Sequence, residues 1–149
     1  MNPRLSRWTM PILRIGMGVF LAMWGLDKVV ASEGAARIFA GFYGMEDLGS
    51  AALLTFGVAE ILLAAALAAG LFRVAAAWIQ LGVNAVSTFT SWRQILDPWG
   101  FFGLTEGGTH LFLASIVIMA VSVVLVLNAR DDTWTLDRKL GRTGTPELK

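Results

Sequence analysis

The stretch 51–71, AALLTFGVAEILLAAALAAGL, constrains the chain more than any other. At about 1.5 Å of rise per residue, a helix of this length matches the hydrocarbon core of a bilayer, roughly 30 Å thick. Glu60 lies close to its centre. Water that would solvate a carboxylate is largely absent at that depth. Glu60 is therefore either uncharged or met by polar partners from other helices. Both solutions place this segment inside a bundle, with Glu60 turned away from lipid.

The rest of the chain agrees with a membrane setting. Hydrophobic residues make up 56% and charged residues only 15%, too oily for an ordinary soluble domain. A length of 149 residues fits one domain. The net charge of +1 lacks the concentrated basic surface that a nucleic acid requires. With no cysteine, the chain has no disulfide, thiol redox chemistry, thiolate zinc site or iron–sulfur cluster. One histidine excludes a bis-histidine haem held by this chain alone.

Four spans are expected, at about 10–30, 51–71, 74–95 and 110–127, with a charged tail over 129–149. The residues Val29-Val30-Ala31 resemble a signal-peptide cleavage site, but Asp27 and Lys28 just before them favour a retained helix. In the first span Arg14, Gly18, Ala22, Gly25 and Lys28 recur at helical spacing and share one face. Small residues there let a neighbouring backbone approach closely. Arg14, near the end of the span, is expected to snorkel to the headgroups. Lys28 either does the same or extends the small-residue face toward the bundle interior.

Between the first two spans, Ser32 starts a short helix through Phe39 to about Phe42, with Tyr43 beside it at interfacial depth. Gly41, Gly44 and Gly49 end it. In the third span Gln80, Asn84, Ser87 and Ser91 form a polar stripe. Asn84 and Glu60 each lie about ten residues into their helices, so antiparallel packing brings them together near mid-membrane. The stripe serves either as interhelical glue or as part of a site. The loop over 91–109 carries Trp92, Trp99, Phe101 and Phe102 among helix-breaking Pro98, Gly100, Gly103, Gly107 and Gly108. Its aromatics form an interfacial belt or wall the mouth of a pocket. The fourth span is rich in Val, Ile and Leu and should be the most lipid-facing. A short helix is expected near 133–140, and no internal repeat is evident.

Arg4, Arg7, Arg14, Arg73, Arg130, Arg138, Lys139, Arg142 and Lys149 fall on the terminal side, against Lys28, Arg37 and Arg93 opposite. This imbalance places both termini in the cytoplasm and the aromatic loops outside. The fold class is thus all-α: a four-helix antiparallel membrane bundle with an extra short interfacial helix in the first outer loop.

Glu60, Asn84 and Lys28 are the constellation with most chemical content. Glu60 lies about nine residues, or roughly 13 Å, deeper than Lys28, a gap that two long side chains and helix tilt can close into an ion pair. A carboxyl group in a dry site exchanges protons, and amides or hydroxyls such as Asn84 and Ser87 can hold the carbonyls of a lipid-soluble molecule. His110 either relays protons outward or bonds the loop, and Trp92 flanks the same outer end.

RIGMGVFL over 14–21, followed by WGLDK over 24–28, resembles the opening of DoxX-like membrane proteins. The 35–44 segment resembles that family's Phe- and Gly-bearing loop, and Glu60 matches its acidic position. The likeness covers the first two spans; the second half shares only the four-helix pattern, and 92–102 matches no motif of the family. The resemblance implies a bacterial inner-membrane protein. Relatives include the small subunit of a thiosulfate:quinone oxidoreductase and components of redox or oxidative-stress complexes, and many members have no assigned activity. It points to a quinone as a noncovalent ligand, with electrons supplied by a redox partner protein. The contrasting expectation is a non-catalytic scaffold or small-solute carrier, and either form admits a homo-oligomer.

Overall fold

The structure, a computed structural model, describes residues 3–46 and 48–142, with side chains through the first helix described from Trp8 onward. The side chains of Arg4 and Arg7, and all of Lys149, used above in the charge count, lie outside the described residues. Among the described residues every regular element is a helix and none is a strand. Its helices are α1 (Pro3–Val30), α2 (Ser32–Tyr43), α3 (Ser50–Ala69), α4 (Arg73–Thr90), α5 (Trp92–Leu96), α6 (Ala114–Asn128) and α7 (Leu136–Lys139), with a 3-10 turn at His110–Leu113 before α6. Three stretches are long and apolar enough to cross a membrane: Trp8–Val30, Ser50–Ala69 and His110–Asn128. α4 is not among them. Its stripe of Gln80, Asn84 and Ser87 dilutes the apolar residues that would otherwise qualify it.

α1 is longer than expected, starting at Pro3 and carrying Pro11 inside. Pro11 lacks an N–H and so removes one internal backbone bond. α3 ends where Gly70 turns left-handed (φ 68°), with Leu71 N–H donating to Ala66 O at 2.8 Å and Gly70 N–H to Leu67 O at 3.1 Å. The third expected span is shorter than 74–95. It stops at Thr90, whose hydroxyl donates to Ser87 O, the same carbonyl that Ser91 N–H uses, and α5 restarts beyond Ser91.

The tightest interface is between α1 and α3, which run antiparallel. A Cβ added to Gly18 would sit 2.9 Å from Ala68 Cβ, one on Gly25 2.9 Å from Gly57 O, and one on Gly57 2.7 Å from Gly25 O. Backbones meet there, and only glycine permits it. α4 packs mainly on α6, and the two pairs share a core of Met17, Leu21, Ala64, Leu67, Ala76 and Leu125. α6 is the least buried of the three apolar stretches, as its composition suggested.

Arg14 does not snorkel. Its guanidinium is buried, donates to Asp132 Oδ2 at 2.6 Å and to Trp134 O at 2.8 Å, and thereby ties α1 to the tail. Asp137 from the same tail accepts from Phe72 N–H (2.9 Å) and Arg73 N–H (2.8 Å), the free donors at the start of α4. This cap holds Phe72 in a left-handed conformation (φ 48°) unusual for a bulky residue. The tail is thus a clasp, with its short helix confined to Leu136–Lys139.

Candidate functional site

Lys28 and Glu60 form an ion pair, Nζ to Oε2 at 2.6 Å, with side chains 13% and 12% exposed. Local geometry explains how the depth difference closes. Cα–Cβ bonds tilt toward a helix's N-terminus, so on antiparallel α1 and α3 the two side chains lean toward one another. The glycine contact of Gly25 with Gly57 brings the backbones close enough for them to meet, and a Cβ added to Gly57 would lie 3.1 Å from Lys28 Cβ. The ammonium also donates to Trp24 O at 3.1 Å and lies 5.8 and 6.0 Å from the ring centroids of Trp24 and Phe39. These contacts replace much of the solvation lost at depth.

The pair forms part of the wall of a cavity of about 1120 Å³ bordered by α1, α2, α3, α4, the 3-10 turn and the start of α6. Asn84 and Ser87 also border it. Ser87 is exposed to the cavity, but the Asn84 amide is committed elsewhere. Asn84 Nδ2 donates to Gln80 Oε1 at 3.0 Å and Ser122 Oγ at 2.9 Å, and lies 3.5 Å from Met17 Sδ. Gln80 and Ser122 are completely buried, and Gln80 Nε2 reaches Ser122 O at 3.4 Å. The stripe on α4 therefore divides into an α4–α6 junction of Gln80, Asn84 and Ser122, and a cavity-facing Ser87.

Trp92 and His110 stand apart from this cavity. Trp92 is exposed with the Arg93 guanidinium 5.4 Å from its ring, and His110 is exposed at the head of the 3-10 turn. Trp99, Phe101 and Phe102 are exposed too and do not border the cavity. Its aromatic wall comes instead from Phe39, Phe42 and Tyr43 on α2, together with Phe20, Trp24, Phe56 and Phe112. Phe39 stacks on Phe56 at 5.9 Å and Phe42 on Phe112 at 5.6 Å, so α2 acts as a lid cross-linked by rings. The placement of Phe39, Phe42 and Tyr43 on one short helix was the signal in the sequence, read there only as interfacial depth.

The loop between α5 and the 3-10 turn has its own organiser. Buried Asp97 Oδ2 accepts from Phe102 N–H (3.1 Å) and Leu104 N–H (2.9 Å), while its carbonyl accepts from Thr105 Oγ1. Burial alone would push this carboxyl up, but backbone N–H groups, Leu104 first and then Phe102, Thr105 and Phe101, outweigh it and hold it below the usual carboxylate range.

Chemically, the cavity offers an ammonium–carboxylate pair, the Asp27 carboxyl group and hydroxyl-bearing Tyr43, Ser87, Thr90, Ser91 and Ser115 around a largely apolar, aromatic-walled space. Such a site can orient a polar head and exchange a proton with it. Comparison with protein families, curated proteins and solved structures gives no match.

Proposed function

We propose that the chain is a multi-pass membrane protein in which α1, α3, α4 and α6 form a four-helix antiparallel bundle, with α2 lying interfacially over the outer end. In this reading both termini are cytoplasmic and the cavity holds a quinone-like ligand. The protein is then a membrane subunit of a redox system in a bacterial inner membrane, with electrons supplied by a partner protein. The observation that carries the reading is the Lys28–Glu60 pair at the edge of an aromatic-walled cavity. Lys28 is placed to donate to a ligand carbonyl and Glu60 to take or return the proton that quinone chemistry moves. The DoxX-like resemblance of the first two spans adds weight to the quinone.

A second reading has its own support. The ion pair is closed at 2.6 Å and the Asn84 amide is already bonded, as in a non-catalytic scaffold whose polar groups only hold helices together. Gentle detergent extraction followed by mass spectrometry separates the two. Quinone retained by the wild type and lost in Glu60→Gln supports the redox subunit. An unchanged ligand profile with lowered thermal stability supports the scaffold, and proton-gradient-driven solute uptake in vesicles would make it a carrier.

A further inference from the structure

The cavity is larger than a ring needs. Drug-sized ligands occupy about 300–1,000 Å³, and this space reaches about 1120 Å³. It is also open on one side. Phe56 and Leu62 on α3, with Ile79 and Val86 on α4, line it while remaining 46%, 65%, 56% and 55% exposed. An opening rimmed by such side chains would be unfavourable in water and is natural against acyl chains. Along α3 the wall runs from Phe56 to Ala66, ten residues or about 15 Å of helix.

Gly82 on α4 borders the cavity where the space is open. A Cβ there would meet no atom within 4 Å, whereas those on Gly18, Gly25 and Gly57 would meet neighbours at 2.7–2.9 Å. The charges at the polar end settle the type of head. Lys28 is already neutralised by Glu60, and Asp27 on the wall adds a further carboxyl group. Among the described residues that line the cavity, no uncompensated cation is left for a phosphate or carboxylate.

We propose that the cavity opens sideways between α3 and α4 and takes a neutral-headed amphiphile, with its head beside Lys28 and Glu60 and its hydrocarbon tail leaving through the gap at Gly82. This deepens the functional reading above and rests on its premise that the cavity lies in a membrane and binds a ligand. A tail moving from lipid into the groove gains little hydrophobic free energy, because lipid is as apolar as the groove. Its preference comes from packing, so the expected selectivity for a tail is modest.

The test uses the full chain in lipid nanodiscs and two probes at equal mole fraction in the bilayer: a decyl-tailed benzoquinone and the same ring without its tail. Binding is read by quenching of Trp24, which borders the cavity, with Trp24→Phe defining its share of the signal. The tailed probe is expected to bind about 3–10-fold more tightly to the wild type. Gly82→Phe should lower its affinity about tenfold and leave the tail-less ring within about twofold. The wild-type comparison stands even if Gly82→Phe folds poorly, which a thermal melt reports. Equal binding of both probes, indifferent to Gly82→Phe, overturns the sideways opening and leaves the quinone reading intact. If neither probe binds but a neutral lipid copurifies with the wild type and is shed by Gly82→Phe, the opening stands and the quinone reading falls. Retention of anionic lipid only, of no lipid, or a second copy of the chain seated in the groove overturns the proposal.

Discussion

Two ion pairs of the same 2.6 Å length sit in this molecule, and their surroundings differ. Arg14–Asp132 has side chains 5% and 3% exposed and belongs to a clasp in which the tail also caps α4 through Asp137. Neither residue borders the cavity. Lys28–Glu60 is somewhat more open, faces aromatic rings, and has the cavity beside it. Distance alone does not distinguish a structural pair from one poised to bind. What distinguishes them is whether every neighbouring group is another part of the same lock or an empty volume.

That contrast is broken most directly at the clasp. Arg14→Ala or Asp132→Ala leaves a buried charge without its partner and should cost about 3–5 kcal/mol, read as a large fall in melting temperature in detergent. Ligand retention should fall only as far as the fold does. If Asp132→Ala proves no worse than Glu60→Gln, the two pairs are equivalent and the distinction fails. Next in size is Gly25→Val, whose Cβ would lie 2.8 Å from Ile61 Cγ1 and 2.9 Å from Gly57 O. Overpacking of this kind costs about 1–3 kcal/mol, and here it also pushes Lys28 away from Glu60. Gly16→Val, on the same helix but with nothing within 4 Å of its Cβ, is the matched control and should melt close to wild type.

These predictions show how unevenly the sequence revealed the fold. The second span, its central acid and the small-residue face of the first span were legible because helix periodicity and apolar length are local properties. The Lys28–Glu60 pair was within reach by depth and side-chain length, but the sequence left snorkelling of Lys28 to the headgroups equally open. The clasp was not legible, because Arg14 and Asp132 lie 118 residues apart and nothing local relates them. Ser122 was missed for a different reason: a single hydroxyl in a run of Val, Ile and Leu reads as incidental, yet it is completely buried against Gln80 and Asn84. Trp92 and His110 were attractive by residue type, but placement decides, and both are exposed residues that do not line the cavity. The α2 aromatics took that place because the short helix folds back over α1 and α3, a tertiary fact that no spacing within 32–43 contains.

Glu60→Gln sharpens the other side of the comparison. The shape is kept, Lys28 retains Trp24 O and its two ring faces, and the pair is partly open. The stability loss should be about 1–2 kcal/mol, toward the lower end for a bond to a charged group. On the proposed quinone reading, the ligand loss should be out of proportion to that small change, measured as bound quinone per mole of folded protein. Removing both charges with Lys28→Met and Glu60→Gln should restore most of the melting temperature without restoring the ligand, because the buried charge left alone in the single variant is then gone. Recovery of both together would mean that the pair acts on ligand only through the fold.

The smallest effect belongs to the loop between α5 and the 3-10 turn, which tests whether the cavity depends on the loop aromatics that the sequence offered for its mouth. Asp97 is held below the usual carboxylate range because the N–H groups of Leu104, Phe102, Thr105 and Phe101 outweigh the opposing effect of burial. A carboxyl group depressed in the folded state adds stability that is fully present above its unfolded pKa, about 3.9, and is lost as pH falls through the lower folded value. Acidification should therefore loosen the loop before it loosens the α1–α3 interface, which the Gly25–Gly57 contact holds without charge. Hydrogen exchange at the Phe102 and Leu104 amides reads this directly, with protection falling on acidification and low at every pH in Asp97→Asn. Since neither the carboxylate nor the exposed Trp99, Phe101 and Phe102 rings border the cavity, quinone retention at neutral pH should be the same in Asp97→Asn as in wild type. Retention that falls with the loop's protection would instead join the loop to the site and move the site's boundary outward from α2.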